Sequence, residues 1–456
     1  MHALLSLLLL AAPAESSWGD MAVDLLTHYL RVDTTNPPGN ELRGALFLKE
    51  VLAKEGIAAR VDEYAPGRAN LMAVLQGSGK ARPLILMNHT DVVPADPTRW
   101  SVPPFAGAQR DGRLYGRGAV DMKGEGIVQL VAFLRLAREK RPLDRDVIFL
   151  ATADEEDDFG GIRRALLPVG FRAALEPAEY LLTEGGENRV GQDGKPLYFG
   201  VQNAQKSPFW LTLKTTGRPG HGSRPIADAA LNRLIRALDR IRAWRTELRV
   251  LPSVAKFFKD QSRSLIGPEA GWYADIAKAI RDPAVARAMY DGGEGLGALL
   301  RDTVSITVVK AGYKTNVIPG TAEAELDVRL LPGTERDEFL ARLRAVIDDP
   351  TVEIVPPARF NPPVESRIDT ELFRTIERVV AQRYPGVPVT TKMGTGATES
   401  SLMRPLGIVC YGFTPLLLTA EEDASQHADD ERVPVESLRE SVGTFFEVVA
   451  GIAGRR

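Results

Sequence analysis

Val147-Ile-Phe-Leu-Ala-Thr-Ala-Asp-Glu-Glu-Asp-Asp158 is the stretch that decides the fold. Its first four residues are an apolar run of strand length, and five consecutive acids, Asp154 to Asp158, follow close behind. A strand buried on both faces reads as a continuous apolar run, as in a parallel sheet covered by helices. Ligands of such open sheets bind outside the carboxyl ends of the strands. Five adjacent carboxylates at that end are costly unless a cation or a shared proton relieves them. A surface charge run is the bland alternative.

The same arrangement recurs on either side. Leu84-Ile-Leu-Met87 ends at Asn88-His89, Tyr180-Leu-Leu182 runs into Glu184-Gly-Gly186, and Ile408 to Phe413 is a late candidate strand. Strands alternate with helical patterns through the first 200 residues, which predicts βαβ units and a mostly parallel sheet flanked by helices. Near residue 205 the pattern changes. Phe209–Thr215 alternates weakly, and Pro225–Trp244 carries apolar residues at helical spacing with Pro225 near the first turn. Ala322–Leu330 alternates cleanly, between a strand at Val304–Val309 and a helix at Glu335–Ile347; a last strand is expected at Thr351–Val355. The poorly patterned stretch 245–300 is expected to be helical with glycine breaks. The organisation expected is an α/β domain built from 18–204 and 359–456, with an α+β insert at 205–358.

Composition narrows the chemistry. In 456 residues, 57 Lys+Arg face 60 Asp+Glu, a net charge of −3, and 44% of residues are hydrophobic. That excludes a disordered chain and makes no case for a nucleic-acid binder. The single Cys410 excludes an intrachain disulfide framework and a cysteine-cluster zinc site. Any metal must be held by His, Asp and Glu, and the histidines are His2, His28, His89, His221 and His427. Leu4–Ala12 is an apolar run too short to span a bilayer. With Ala12-Pro-Ala14 and polar residues from Glu15, it reads as a signal peptide, residues 1–14, that would export the chain to a periplasm or the medium. His2 would leave with it, and His28 sits in a helical pattern as a structural residue.

His89-Thr-Asp91 allows the histidine to bind a metal while the aspartate orients its other ring nitrogen, although a structural His–Asp pair has the same spelling. Asp121 lies in Gly116-Arg-Gly-Ala-Val-Asp-Met-Lys-Gly124, where glycines let backbone approach a ligand, or where the aspartate caps the following helix. Of the adjacent Glu155 and Glu156, one can bind metal and the other act as general base on a metal-bound water.

The strings His89-Thr-Asp-Val-Val-Pro94, Gly116 to Gly124, Thr152-Ala-Asp-Glu-Glu156 and Thr183-Glu-Gly-Gly186 occur in an order that resembles the zinc-dependent exopeptidase and deacylase family. That family includes the aminoacylases, glutamate carboxypeptidase, acetylornithine deacetylase and succinyl-diaminopimelate desuccinylase. The resemblance runs from Asp33-Thr-Thr-Asn-Pro-Pro-Gly39 to His427-Ala-Asp-Asp-Glu-Arg-Val-Pro434. It implies a di-zinc catalytic domain carrying an inserted lid and dimerisation domain. Asp121 would bridge two Zn2+ ions, His89 and Glu184 completing one set of ligands and Glu156 and His427 the other; Co2+ or Mn2+ would suit the same donors. Glu155 matches the general base, and Asp91 the partner of His89. His221, in Pro219-Gly-His-Gly-Ser-Arg-Pro225, matches a lid histidine that stabilises the oxyanion in the partner subunit of a homodimer. Asn316 and Arg329 resemble substrate-binding lid residues. Gly394, Gly396 and Thr398 belong to a glycine-rich substrate loop, in which Glu399 replaces the usual aspartate and Ser401 stands where an arginine is common.

The activity implied is hydrolysis of an amide bond in a small carboxylate-bearing substrate: a dipeptide, the C-terminal residue of a peptide, or an N-acyl amino acid. A zinc-bridging hydroxide would attack the carbonyl. Export favours scavenging over a biosynthetic deacetylation or desuccinylation. An inactive binding protein of the same fold is disfavoured by the intact Glu155 and five ligand candidates. A protease of whole proteins is disfavoured by the lack of a His-Glu-x-x-His motif.

Overall fold

The computed structural model describes residues 15–191, 194–291 and 295–454. The expected signal peptide therefore lies outside the described residues. The chain forms two compact units. The first comprises Met1–Val201, Arg367–Val389 and Leu406–Arg456, and the second Gln202–Ser366 and Thr390–Pro405.

In the first unit the strand that opened the reading is Val147–Thr152, buried at every position. It lies parallel to Leu84–His89, also buried throughout, which in turn lies parallel to Tyr180–Thr183. Val409–Gly412 continues the parallel run beyond Tyr180–Thr183 and buries Cys410. On the other flank the sheet turns antiparallel through Arg68–Leu75 and Ala59–Ala65. Helices Glu15–Tyr29, Lys123–Arg138, Glu371–Arg383 and Val435–Ala453 supply much of the same continuous core, with Leu26, Phe133, Ile376 and Phe445 among its members. His28 is exposed on the first of these helices and faces the Asp24 carbonyl at 2.8 Å. No described helix is long and apolar enough to cross a membrane.

The second unit is built on Thr321–Leu330, whose alternate residues are buried as its alternating sequence requires. Leu211–Thr216 pairs with it on one side, and Ser207–Pro208 and Thr303–Ala311 also pair with it, all antiparallel. Helices Ala230–Ala243 and Arg336–Ile347 contribute Leu234, Ile241, Phe339 and Leu343 to its core. The first of these helices begins five residues later than Pro225. One turn, in which the Arg224 N–H donates to the His221 carbonyl, ends just before Pro225, and a second, in which the Ala229 N–H donates to the Ile226 carbonyl, fills the segment between Pro225 and the helix. The stretch 245–300 resolves into the short helices Pro252–Gln261, Pro268–Ala274, Ile276–Ala279 and Pro283–Asp291, gathered on Val254, Phe258, Ile276 and Met289. Segment 390–405 clusters with this unit, beyond the 205–358 boundaries expected for the insert. The physical reason is local: Thr391 donates to the Ser253 carbonyl at 2.6 Å, and Thr398 to Gln205 at 3.0 Å.

Candidate metal centre

The first unit gathers its acids at the ends of the parallel strands. His89 is the last residue of Leu84–His89, Glu184 directly follows Tyr180–Thr183, and Glu155 and Glu156 come three and four residues after Thr152. Asp121 precedes helix Lys123–Arg138 without capping it. One of its oxygens lies 3.0 Å from His89 Nε2 and the other 3.1 Å from His427 Nε2. His89 Nε2 is 3.7 Å from Glu184, and His427 Nε2 is 3.3 Å from Glu156. Two triads result, His89–Asp121–Glu184 and Asp121–Glu156–His427, each with its ligand atoms within 4.8 Å of one another and with Asp121 common to both.

The electrostatics explain what such a cluster requires. Burial pushes the Glu155 carboxyl up, and the charge of Glu184 adds to it, so that it lies well above the ordinary carboxylate range. Burial opposes protonation of His89, but the carboxylates of Asp121 and Glu184 outweigh it and raise its pKa. Asp121 and Glu156 raise His427 to about 10. Burial disfavours the charged form of Asp121, yet the two histidines hold its carboxyl below its ordinary value. The cluster thus concentrates carboxylates whose mutual repulsion a divalent cation would relieve. The donor set of nitrogen and carboxylate oxygen, with one carboxylate facing both ways, fits a pair of divalent ions.

The supporting contacts depart from expectation at one point. His89 Nδ1 lies 3.0 Å from the main-chain carbonyl of Asp91, and 3.7 Å from its carboxylate. The Asp91 carboxylate instead accepts the N–H groups of Glu155 and Glu156, each at 3.1 Å, and the Asn36 amide at 3.0 Å. It therefore fixes the backbone that carries Glu155 and Glu156. Sequence reading missed Glu431, buried within the His427 string. Its carboxylate accepts N–H bonds from Gly118, Val120 and Asp121 and pairs with Arg117 at 2.7 Å. It also missed Asn36, which donates to Asp91 and Asp154, and Arg68, which pairs with Asp154 and Glu41. Asn36 and Glu431 lie inside quoted strings; Arg68 carries no motif.

The remaining candidates belong to the second unit. Strand pairing of His221 with Val317 brings its loop beside Asn316, whose carbonyl accepts the Gly222 N–H at 2.8 Å. His221 Nδ1 accepts the Ser223 N–H at 3.2 Å and faces the Ser223 hydroxyl at 2.8 Å. A neutral ring that accepts at Nδ1 carries its proton on Nε2 and so presents a donor. Arg329 forms a two-point pair with Asp327, at 2.7 and 3.0 Å. Arg329 and Gly396 line one cavity of about 330 Å³. Gly394 is packed tightly: a Cβ there would come within 2.7 Å of Gln202. Thr398 is held by Gln205 as described above.

Comparison with known proteins agrees with this geometry. A model of peptidase family M20/M25/M40 matches residues 85–450. The chain is similar to N-fatty-acyl-amino acid synthase/hydrolase PM20D1 of Homo sapiens, 27% identical over 85% of this chain and 77% of that protein. Aminoacylase-1 of Sus scrofa is 26% identical, over 95% of both chains. The fold is similar to that of an M20 family metallo-carboxypeptidase from Sulfolobus solfataricus, with a TM-score of 0.69, 19% identity, and coverage of 94% of this chain and 98% of that one.

Proposed function

The chain belongs to peptidase family M20/M25/M40, and from that premise we propose that it is a di-zinc hydrolase of N-acyl amino acids. The observation that carries this reading is the pair of triads sharing Asp121, with Glu155 beside them. Amide hydrolysis by a metal-dependent enzyme is the activity common to the family. The finer choice of an acylated amino acid over a dipeptide is supported by the names of the two relatives, an aminoacylase and a fatty-acyl-amino acid hydrolase.

Two zinc ions at the triads would lower the pKa of a water between them and polarise the scissile carbonyl. His89 and Glu184 would hold one ion, Glu156 and His427 the other, and Asp121 both. Glu155 takes a proton from the attacking water and delivers it to the leaving amine. Asp91, by accepting two successive N–H groups, keeps Glu155 and Glu156 in register for these separate tasks. His221 is assigned as an oxyanion donor in trans, and Asn316, Arg329, Gly394, Gly396 and Thr398 as substrate-binding residues. A homodimer is supported by Thr303–Ala311, which has one strand partner among the described residues and exposes Ile306 and Val309. Export of a chain beginning at Glu15 completes the proposal.

Turnover of N-acetyl and longer N-acyl amino acids, against dipeptides, tests it directly. We expect hydrolysis of the acylated substrates, its abolition by a chelator, and its recovery on adding Zn2+. Chelator-insensitive turnover, or none on either substrate class, would overturn the reading.

A further inference from the structure

The ligand candidates His89, Asp121 and Glu184 come from separate pieces of the first unit. His89 ends one strand, Glu184 follows its parallel neighbour, and Asp121 precedes helix Lys123–Arg138. The ladder between Leu84–His89 and Tyr180–Thr183 stops at the pair Leu86 and Leu182, before it reaches either ligand. The spacing of His89 from Glu184 is therefore left to contacts outside that ladder.

Glu125 stands in the first turn of the helix, four residues after Asp121, and is buried. Its two oxygens serve different neighbours. Oε1 accepts from the Gln129 amide at 3.1 Å, and Oε2 accepts from the Thr414 hydroxyl. Gln129, one turn further along the same helix face, carries the link to the strand. Its amide also donates to the Met87 carbonyl at 3.1 Å, and its oxygen accepts from the Asn88 amide at 3.1 Å. Met87 and Asn88 are the residues directly before His89. Thr414 carries the link the other way. It follows Phe413, whose N–H donates to the carbonyl of Thr183 at 3.0 Å, and Thr183 directly precedes Glu184. The Thr414 carbonyl in turn accepts from the amide of Asn188, beyond that same turn.

One side chain thus joins the helix behind Asp121 to the strand end that carries His89 and to the turn that carries Glu184. A buried carboxyl is a costly way to fill space, since an apolar side chain would pack there with no polar atom to satisfy. Hydrogen bonds are directional, and a low-dielectric interior strengthens them, so an acceptor shared by two donors fixes both. The ligands proper to the other triad are held differently. The Glu156 N–H donates to Asp91 at 3.1 Å, and the His427 carbonyl accepts from Arg117 at 3.3 Å.

Resting on the reading of this centre as a pair of divalent ions, we propose that Glu125 is a positioning residue for one of them: through Gln129 and Thr414 it holds His89 and Glu184 at the spacing from Asp121 that this ion requires. Selectivity for one ion over the other is the signature that a merely structural role would not produce.

Competition with a chelator, read as Zn2+ bound per chain in the absence of substrate, measures it. The wild type should hold two ions. Glu156→Gln leaves the ion of His89, Asp121 and Glu184 as the tighter one, and Glu184→Gln leaves the other. Glu125→Leu should weaken the tighter ion of the Glu156→Gln background about 10- to 100-fold. In the Glu184→Gln background it should change the tighter ion by about twofold or less. Glu125→Gln, which keeps both hydrogen-bonding positions, should restore wild-type affinity. Thr414→Val removes one link at a half-buried position and should weaken the same ion severalfold, which tests the inference even if Glu125→Leu fails to fold. Equal weakening in both backgrounds, unchanged affinity in the folded variants, or fewer than two ions in the wild type overturns the proposal. Two bound ions without hydrolysis of N-acyl amino acids would remove the proposed function and leave this inference standing.

Discussion

Glu155 is the residue on which the proposed chemistry turns, and it differs from its neighbour Glu156 in what it touches. Glu156 faces His427 at 3.3 Å and belongs to one of the two triads, whereas Glu155 stands outside both. A carboxylate left out of both ligand sets is the one free to take a proton from water and return it to the leaving amine. Replacement by glutamine should cost about 100- to 10,000-fold in turnover, with metal content unchanged by atomic absorption. His221→Ala should lose on the order of 100- to 1,000-fold, again with its metals in place. Lys206 gives a prediction about pH that does not involve the metals. Its Nζ faces two carbonyls and the Thr303 hydroxyl, and burial lowers it from 10.5 to about 7. Between those values the unfolded chain binds a proton that the folded chain lacks, so stability rises with pH across that window. Below about 7 both states are charged and the burial cost is felt in full. Urea unfolding at pH 7, 8 and 9 should show this rise, and Lys206→Met should remove it. The ligand candidates were legible because each stands at a strand's end in a recognisable string. Glu431 and Arg68 were not, since they act on backbone and on other side chains far away in sequence and have no spelling of their own.

At the scale of elements, apolar runs of four residues announced the central strands, and strict alternation announced Thr321–Leu330. Periodicity failed where elements are short. Helices of four to ten residues between 252 and 291 complete too few turns to show a stripe. The start of helix Ala230–Ala243 was misplaced because a proline at the first turn and a proline in a preceding turn look alike. Close packing between elements was invisible as well. Strand Val409–Gly412 runs so near the turn after Tyr180–Thr183 that a Cβ on Gly412 would stand 2.4 Å from the Glu184 carbonyl oxygen. Gly412→Ala must therefore displace the turn that carries Glu184. We expect a loss of about 1–3 kcal/mol in stability and weaker metal retention, seen as faster inactivation by chelator than in the wild type.

For the whole molecule, the exposed edge at Thr303–Ala311 makes the association state testable. A lysine at Val309 places charge on that edge without entering the core. Val309→Lys should shift a dimer towards monomer in sedimentation at micromolar concentration, and by the assignment of His221 in trans it should lower turnover along with it. Unchanged mass for the variant, or a wild-type monomer, would remove the case for that edge. Two units interrupted in sequence were foreseeable from the change of pattern near residue 205. The return of 390–405 to the second unit was not, because it is decided by hydrogen bonds to residues more than a hundred positions away.

The carboxylate of Glu431 grips the backbone of Gly118, Val120 and Asp121 across more than three hundred residues of chain. The last metal-ligand candidate, His427, lies four positions before it. A ribosome making this protein has therefore added more than three hundred residues beyond Asp121 before its loop can be clasped and the second triad closed. A nascent chain that stops short of residue 427 lacks the last ligand candidate of that triad, so the candidate metal centre is assembled late in synthesis rather than with the strands that carry its other residues.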